Sequence, residues 1–389
     1  MNVLILGSGT QALAILKSIS ESGNQVIMLI SEVGNYADVS KYVDERILTQ
    51  YNIRSSEFLE LIKTIITEKK INVVIPMGDI FAEFLSFHRE ELLQLTNFKV
   101  PSYNFFLDGY DKNRLMSLCT QKNYPHPYTI DLSTVDYKDP ACFKLFPFPG
   151  ILKPNCTTGG RGMHLINNYD DLVRIYPGIK AEYGECHFQQ FIHEGGSQVK
   201  IQLYVNEEGE LLYSSAMEKV RWYPIKGGAS CCSVTINNPI MVEICHNILK
   251  DIKWIGFADF DIIGNPDTGE LLIMEINPRL PACIGAAVNA GIDWGRIMVD
   301  DAIGKPLESY SFKEGVIFRH IGFDILWFLK SPNRFKTRPN WFKFMGKNVY
   351  FQDFHIWDQK PFWVGTFHNI KKLLDPKFRE AKSGTTSAE

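Results

Sequence analysis

Residues 256–279 read GFADFDIIGNPDTGELLIMEINPR. Two apolar runs, Ala258–Ile263 and Leu271–Ile276, flank a segment from Gly264 to Gly269 in which Asn265, Pro266, Asp267 and Gly269 all favour turn geometry. The pattern predicts a hairpin that carries acids. Side chains alternate faces along a strand, so Glu275 and Asn277 point the same way, and closing the hairpin brings Asp261 beside them. Three hard oxygen donors on a rigid hairpin suit magnesium, which is usually held by one or two protein carboxylates together with phosphate oxygens and water. Arg279, two residues beyond Asn277, is placed to reach the same phosphates.

The 389 residues are enough for two or three domains, and 45% hydrophobic with 22% charged residues describes an ordinary globular composition. The net charge of −3 hides an asymmetry: residues 311–389 hold 14 Lys and Arg against 7 Asp and Glu. The eight cysteines form no CxxC pair, which points to reduced thiols and offers no cysteine metal site. No basic leader precedes the first strand and no apolar run approaches a membrane span, so the expected location is cytoplasmic.

The chain opens with a buried-strand pattern, NVLILG, followed by a helix ending at Gly23 and a second strand at Gln25–Ile30. Gly7, Ser8 and Gly9 begin a dinucleotide fingerprint, but Ala12 stands where its third glycine belongs. A helix over Phe58–Glu68, a strand over Val73–Pro76 and a helix over Phe81–Leu95 complete a small doubly wound domain, assigned to residues 1–103. Strand Gly150–Pro154 then delivers Lys153. The glycine-rich loop after it, with Thr157, Thr158, Gly159, Gly160 and Gly162, allows backbone amides close to phosphate oxygens. It lacks the G-K-[ST] of a Walker loop and runs into a strand at Met163–Ile166. Further on, Lys200, Lys219 and Arg221 alternate along strands facing the same site, where they stabilise charge on a transferring group.

These elements, in this order, resemble the ATP-grasp ligases. The strand acid followed by E-I-N-P-R matches that family's metal-binding end at Asp261, Glu275, Asn277 and Arg279. Asp111-Lys112 with Pro125 and Pro127 downstream resembles the family's phosphate-contacting segment, which implies phosphate binding by Lys112 beside Lys153. H-F-Q-Q-F-I at 187–192 resembles the adenine hinge and implies Gln189, Gln190, Phe191 and Ile192 as nucleotide contacts. The expected ribose acid is missing there, since Ser197 and Gln198 follow. K-V-R-W-Y-P at 219–224 resembles the carbamoyl-phosphate-synthase-like and D-aspartate-ligase-like branch.

The resemblance implies an α/β fold with a doubly wound N-terminal domain and a two-subdomain ATP-grasp domain over 104–310, its lid at about 115–190. It also implies ATP and magnesium as cofactors, and an ADP-forming carboxylate-amine ligase with Lys219, Arg221 and Arg279 acting on the transferring group. The expected substrates are a small carboxylate and an amine, for example an amino acid and a sugar acid, with no nucleic acid. The alternatives are a carboxylate kinase or carboxylase-like enzyme, an inactive nucleotide-binding regulator and a nicotinamide-dependent oxidoreductase. Residues 311–389 form an extension with 17 aromatic residues among its basic ones, read as a packed appendage or a homodimer face, and as a surface suited to a lipid-linked acceptor.

Overall fold

The computed structural model describes every residue except 158–160, 194, 226–227, 375–385 and 388–389. Four parallel strands, β1 (Asn2–Leu6), β2 (Gln25–Ile30), β3 (Glu45–Leu48) and β4 (Ile71–Pro76), form the first sheet in the order β3-β2-β1-β4. Parallel strands covered by helices on both faces read as continuous apolar runs, which is how β1, β2 and β4 were legible. β3 was not, because its burial alternates along Glu-Arg-Ile-Leu at the sheet edge. Gly7 takes a positive φ of 110° in the turn from β1 into the helix Thr10–Glu21, a conformation costly for other residues.

A second sheet holds β5 (Thr129–Asp131), β6 (Gly150–Pro154), β7 (His164–Ile166) and β8 (Cys186–Gln190), which pair antiparallel as β7-β6-β8-β5. The helix Tyr169–Tyr183 covers it through Leu172, Tyr176 and Ile179.

The third sheet is the largest. Its strands are β9 (Gln198–Val205), β10 (Leu211–Tyr223), β11 (Ala229–Ile236), β12 (Gly256–Gly264), β13 (Leu271–Asn277), β14 (Ile317–Arg319) and β15 (Val349–Phe351), ordered β13-β12-β9-β10-β11-β14-β15. One face is apolar: Val199, Ile201, Leu203, Ala258, Phe260 and Ile262 pack with the helices Lys112–Lys122 and Pro239–Asp251. The alternate positions therefore point to the other face, where the site lies. The short β16 (Thr386–Ser387) pairs parallel with β7.

The extension is built into the body. β14 continues the main sheet on β11, and Phe318 packs into the core shared with the first sheet, against Gly285, where a Cβ would stand 2.2 Å from its ring. The expected burial of the extension's aromatics holds only in part. Phe318 and Trp327 are buried, whereas Phe335, Phe342, Trp357, Trp363 and Phe367 are exposed.

Candidate active site

Three adjacent strands set the geometry. Lys200 on β9 lies opposite Asp261 on β12, which lies opposite Glu275 on β13; one step along, Gln202, Asp259 and Asn277 form a parallel row. Cross-strand neighbours of this kind have side chains close enough to bond. Lys200 Nζ is 2.7 Å from Asp259 Oδ2 and 2.9 Å from Asp261 Oδ1. Gln202 donates to Asp259 Oδ1 at 2.7 Å, and Ser215 on β10 donates to Gln202 at 2.7 Å. Asn277 Nδ2 donates to Asp261 Oδ2 at 3.0 Å and to Asp259 Oδ2 at 3.3 Å, which turns its Oδ1 away from the carboxylates.

The two aspartates differ in electrostatics. Burial raises the Asp259 carboxyl, against the opposing effect of Lys200. Burial acts on Asp261 as well, but Lys200, Lys219 and the Asn277 amide overcome it and hold its carboxyl below the usual carboxylate range. Asp261 thus stays ionised beside Glu275, on the more open side of the cluster.

A second cationic group meets the open end of this row. Asp111 caps the helix Lys112–Lys122 by accepting from the Asn113 and Arg114 amides, which places Lys112 in the first turn. Lys112 Nζ donates to the Thr157 carbonyl at 2.8 Å and lies 3.3 Å from Glu275 Oε2. Lys153, on β6, is buried and donates to Gln189 Oε1, while Gln189 donates to Thr129 Oγ1 at 3.0 Å. Burial pushes the Lys153 ammonium down to about 8; Glu275 opposes that shift and Lys112 adds to it. Beside it, His187 is buried and held neutral, first by burial and then by Lys153 and Lys112, with Nδ1 2.9 Å from Asn155 Oδ1. Arg279 reaches the first sheet: its Nε donates to Asp79 Oδ1 at 3.1 Å.

The structure thus brings Lys112, Lys153, Lys200, Asp261, Glu275 and Asn277 into one continuous cluster, with Lys219 near enough to act on Asp261 and Arg279 at its edge. Arg221 does not join them. The strand register between β10 and β11 shifts on both sides of Arg221, and its buried guanidinium grips Asp324 through Nε at 2.7 Å and Nη2 at 3.0 Å. Its Nη1 donates to the Pro339 carbonyl at 2.8 Å and to Thr337 Oγ1 at 3.3 Å, so the role expected for Arg221 at the reacting group is replaced by a structural one.

The hinge is also partly committed. The Gln189 side chain turns inward to Lys153, and the Phe191 amide donates to the Pro149 carbonyl at 3.1 Å, which removes both as free donors toward a nucleotide edge. Gln190 accepts from the Tyr128 amide at 3.4 Å, and Ile192 is buried. In the glycine-rich loop, Thr158, Gly159 and Gly160 lie outside the described residues. Gly162 is described; it takes φ 73° packed against Pro154 and Tyr183.

Three residues were missed by reasoning along the chain: Asp259, Gln202 and Asp79. Asp259 was detectable, since it precedes Asp261 by two and shares its face. Gln202 and Asp79 carried no local signal.

Among the described residues, no three His, Cys, Asp or Glu side chains form a ready-made metal cage. The donor chemistry fits magnesium, which needs only one or two protein carboxylates, here Asp261 and Glu275, with the Asn277 side-chain amide beside Asp261. Lys200 and Lys112 balance the charge of these carboxylates.

A family model described as carbamoyl-phosphate synthase L chain, ATP binding domain, matches residues 138–309. The chain is 22% identical over 324 residues to D-aspartate ligase of Enterococcus faecium, covering 77% of this chain and 76% of that protein. It is 25% identical over 170 residues to the C-terminal section of the carbamoyl phosphate synthase large chain of Methanopyrus kandleri, which is 41% of this chain but only 31% of that relative. Among solved structures, the biotin carboxylase domain of Hydrogenobacter thermophilus 2-oxoglutarate carboxylase has a TM-score of 0.67 at 18% identity, covering 81% of this chain and 73% of that one. N5-carboxyaminoimidazole synthetase from Staphylococcus aureus has a TM-score of 0.62 at 16% identity, covering 81% of each chain. The family model spans both the lysine strand and the acidic hairpin, and the chain shares its fold with these solved structures, so its similarity is to ATP-grasp enzymes.

Proposed function

We propose that this protein is an ATP-dependent ligase that activates a carboxylate as an acyl phosphate and joins it to an amine, releasing ADP and phosphate. The observation that carries the reading is the cross-strand row from Lys200 through Asp261 to Glu275, met at its open end by Lys112 and backed by Lys153. Phosphoryl transfer needs positioning and charge neutralisation more than a covalent nucleophile. Lys112 and Lys153 are the phosphate-binding cations, and Lys153 is already aimed by its bond to Gln189. Asp261, Glu275 and Asn277 would hold a magnesium ion, which would supply charge neutralisation to the transferring phosphoryl group.

A substrate carboxylate oxygen attacks the γ-phosphorus, the bond to the bridging oxygen breaks, and ADP leaves. The amine nitrogen then attacks the acyl carbon, the carbon–oxygen bond to phosphate breaks, and one proton leaves the new amide nitrogen. Lys219 and Arg279 flank the transferring group, and Arg279 is steered by Asp79. Because an acyl phosphate is prone to hydrolysis, the loop around Thr157–Gly162 acts as a lid that excludes water until the amine arrives. Residues 1–103, 104–310 and 311–389 are the corresponding units: an acceptor-side domain, the ATP-grasp domain and the extension. The similarity to D-aspartate ligase, over 77% of this chain and 76% of that protein, supports an amino acid as one substrate. A cytoplasmic homodimer completes the reading; the H. thermophilus biotin carboxylase domain is itself described as a dimer.

A coupled ADP assay across a matrix of amino acids and small organic acids, uronic acids included, tests this. The expected result is ADP release that requires a carboxylate and an amine together and disappears in a folded Glu275→Gln protein. ADP formed from a carboxylate alone with a stable acyl phosphate would make the protein a kinase. Nucleotide binding without turnover of any pair would make it a regulator.

A further inference from the structure

Residues 325–351 contain six basic residues, Lys330, Arg334, Lys336, Arg338, Lys343 and Lys347, and no Asp or Glu, in a chain whose net charge is −3. The helix Ile321–Lys330 has two faces. Asp324 and Trp327 point inward, where Asp324 is gripped by Arg221 and Arg319. On the outer side Leu329 is 60% exposed, and the loop beyond it leaves Phe335 68%, Phe342 61% and Met345 87% exposed.

The aromatic rings of this region are contiguous. Phe328 lies 5.6 Å from Phe335 and 5.8 Å from Phe342, centroid to centroid, and Phe335 and Phe342 are 6.5 Å apart. The loop is pinned from beneath: Arg221 donates to the Pro339 carbonyl, Arg319 to the Lys343 carbonyl, and the Trp341 indole to the Asp324 carbonyl, at 2.8, 2.8 and 3.0 Å. The buried cluster therefore holds exposed apolar side chains outward in a segment rich in cations.

We infer that this face docks onto an anionic membrane surface, with Leu329, Phe335, Phe342 and Met345 seated at headgroup depth and the lysines and arginines against lipid phosphates. Apolar tips surrounded by Lys and Arg, with no acid among them, complement a negatively charged interface in both respects. A second copy of the same face fits poorly, since a two-fold contact would set six cations against six and lysine is depleted from interface cores. Nucleic acid fits less well: Phe335 and Phe342 offer rings for a base to stack on, but Leu329 and Met345 do not.

The docking surface stands independently of the chemistry; its consequence rests on the ligase reading. β10 carries Lys219 at the site and Arg221, two residues on, beneath this helix, so the membrane face lies at the end of the strand that reaches the transferring group. An acceptor carried on a lipid is the substrate class this places within reach.

Vesicle flotation with the full chain tests the inference, using phosphatidylcholine alone and phosphatidylcholine with 30% phosphatidylglycerol. The expected result is binding to the anionic vesicles only, weakened by salt. Lys336→Glu/Lys343→Glu/Lys347→Glu should lower the partition coefficient on the order of a hundredfold. Phe335→Ser/Phe342→Ser/Met345→Ser should lower it at least about tenfold. Melting curves and nucleotide binding establish that both variants are folded. Equal binding to neutral vesicles, no binding to anionic ones, or binding unchanged in both variants overturns it. So does a dimer in analytical ultracentrifugation that dissociates in the apolar variant, or preferential capture of an oligonucleotide over vesicles. None of these readouts uses turnover, so an enzyme that fails the ligase assay but floats with anionic vesicles refutes the ligase reading alone.

Discussion

Arg279 and Asp79, 200 residues apart in sequence, are joined by a guanidinium–carboxylate pair with Nε 3.1 Å from Oδ1. The pair ties the end of the acidic hairpin to the helix start after β4, so the first sheet orients a charge of the site in the third. Asp79→Asn should leave affinity for a non-hydrolysable ATP analogue within about twofold, lower turnover at least tenfold, and cost about 1–2 kcal/mol of stability. Turnover unchanged in a folded Asp79→Asn protein would reduce the pair to a strut between sheets.

Lys200 is the cation on which buried Asp259 depends. Lys200→Met should destabilise the protein by about 3–5 kcal/mol, since removing one partner strands a buried charge. The pH dependence has a definite sign. A carboxyl raised in the folded state stabilises while protonated, so the melting temperature of Lys200→Met should recover as pH falls and drop as pH rises through the raised folded value. Adding Asp259→Asn should recover most of the loss at neutral pH. Denaturant melts from pH 4 to 8 check this, and a pH-independent deficit would contradict it.

Lys153 should impose a pH dependence on nucleotide binding. With its ammonium pushed down to about 8, it is charged below that pH and neutral above it, so analogue affinity should fall as pH rises from 7.5 to 9. The free protein should behave oppositely: between about 8 and the ordinary lysine value near 10.5, the unfolded state binds the extra proton, so Lys153 contributes stability that grows with pH. Isothermal titration should show Lys153→Met weaker and flat with pH across that range. Lys153→Ala should also lose more affinity than Lys112→Ala, because Lys153 is fixed on a strand whereas Lys112 starts a helix.

Arg221 and Lys219 should separate cleanly. Arg221→Ala leaves Asp324 buried with Arg319 and removes the tie to Pro339, so it should cost about 3–5 kcal/mol and lower activity only through lost folded protein. Lys219→Ala should melt within about 1 kcal/mol of the parent, as surface substitutions do, and impair turnover. Equal melting temperatures for the two variants would restore Arg221 to the reacting end of the site.

Much of this protein was determined by features local to the chain. The acids of the Asp261–Glu275 hairpin, the strand lysine Lys153 beside a glycine-rich loop, and the βα opening follow from period-two alternation, apolar runs and turn residues, each complete within a dozen or so positions. The same local logic predicted that Glu275 and Asn277 share a face, and their cross-strand partners Asp261 and Asp259 lie opposite them. Tertiary structure decided what depends on which strands become neighbours and what lies behind them. It set Lys200 against Asp261 by the register of β9 on β12, turned Gln189 inward to aim Lys153, and brought Asp79 to Arg279 from the helix after β4. It also withdrew Arg221: the residue type and spacing suited a transferring phosphoryl group, but the helix of the extension placed Asp324 beneath it. A buried guanidinium takes the carboxylate that removes its charge from an apolar surrounding, and that partner lay 103 residues away, beyond the reach of any pattern along the strand.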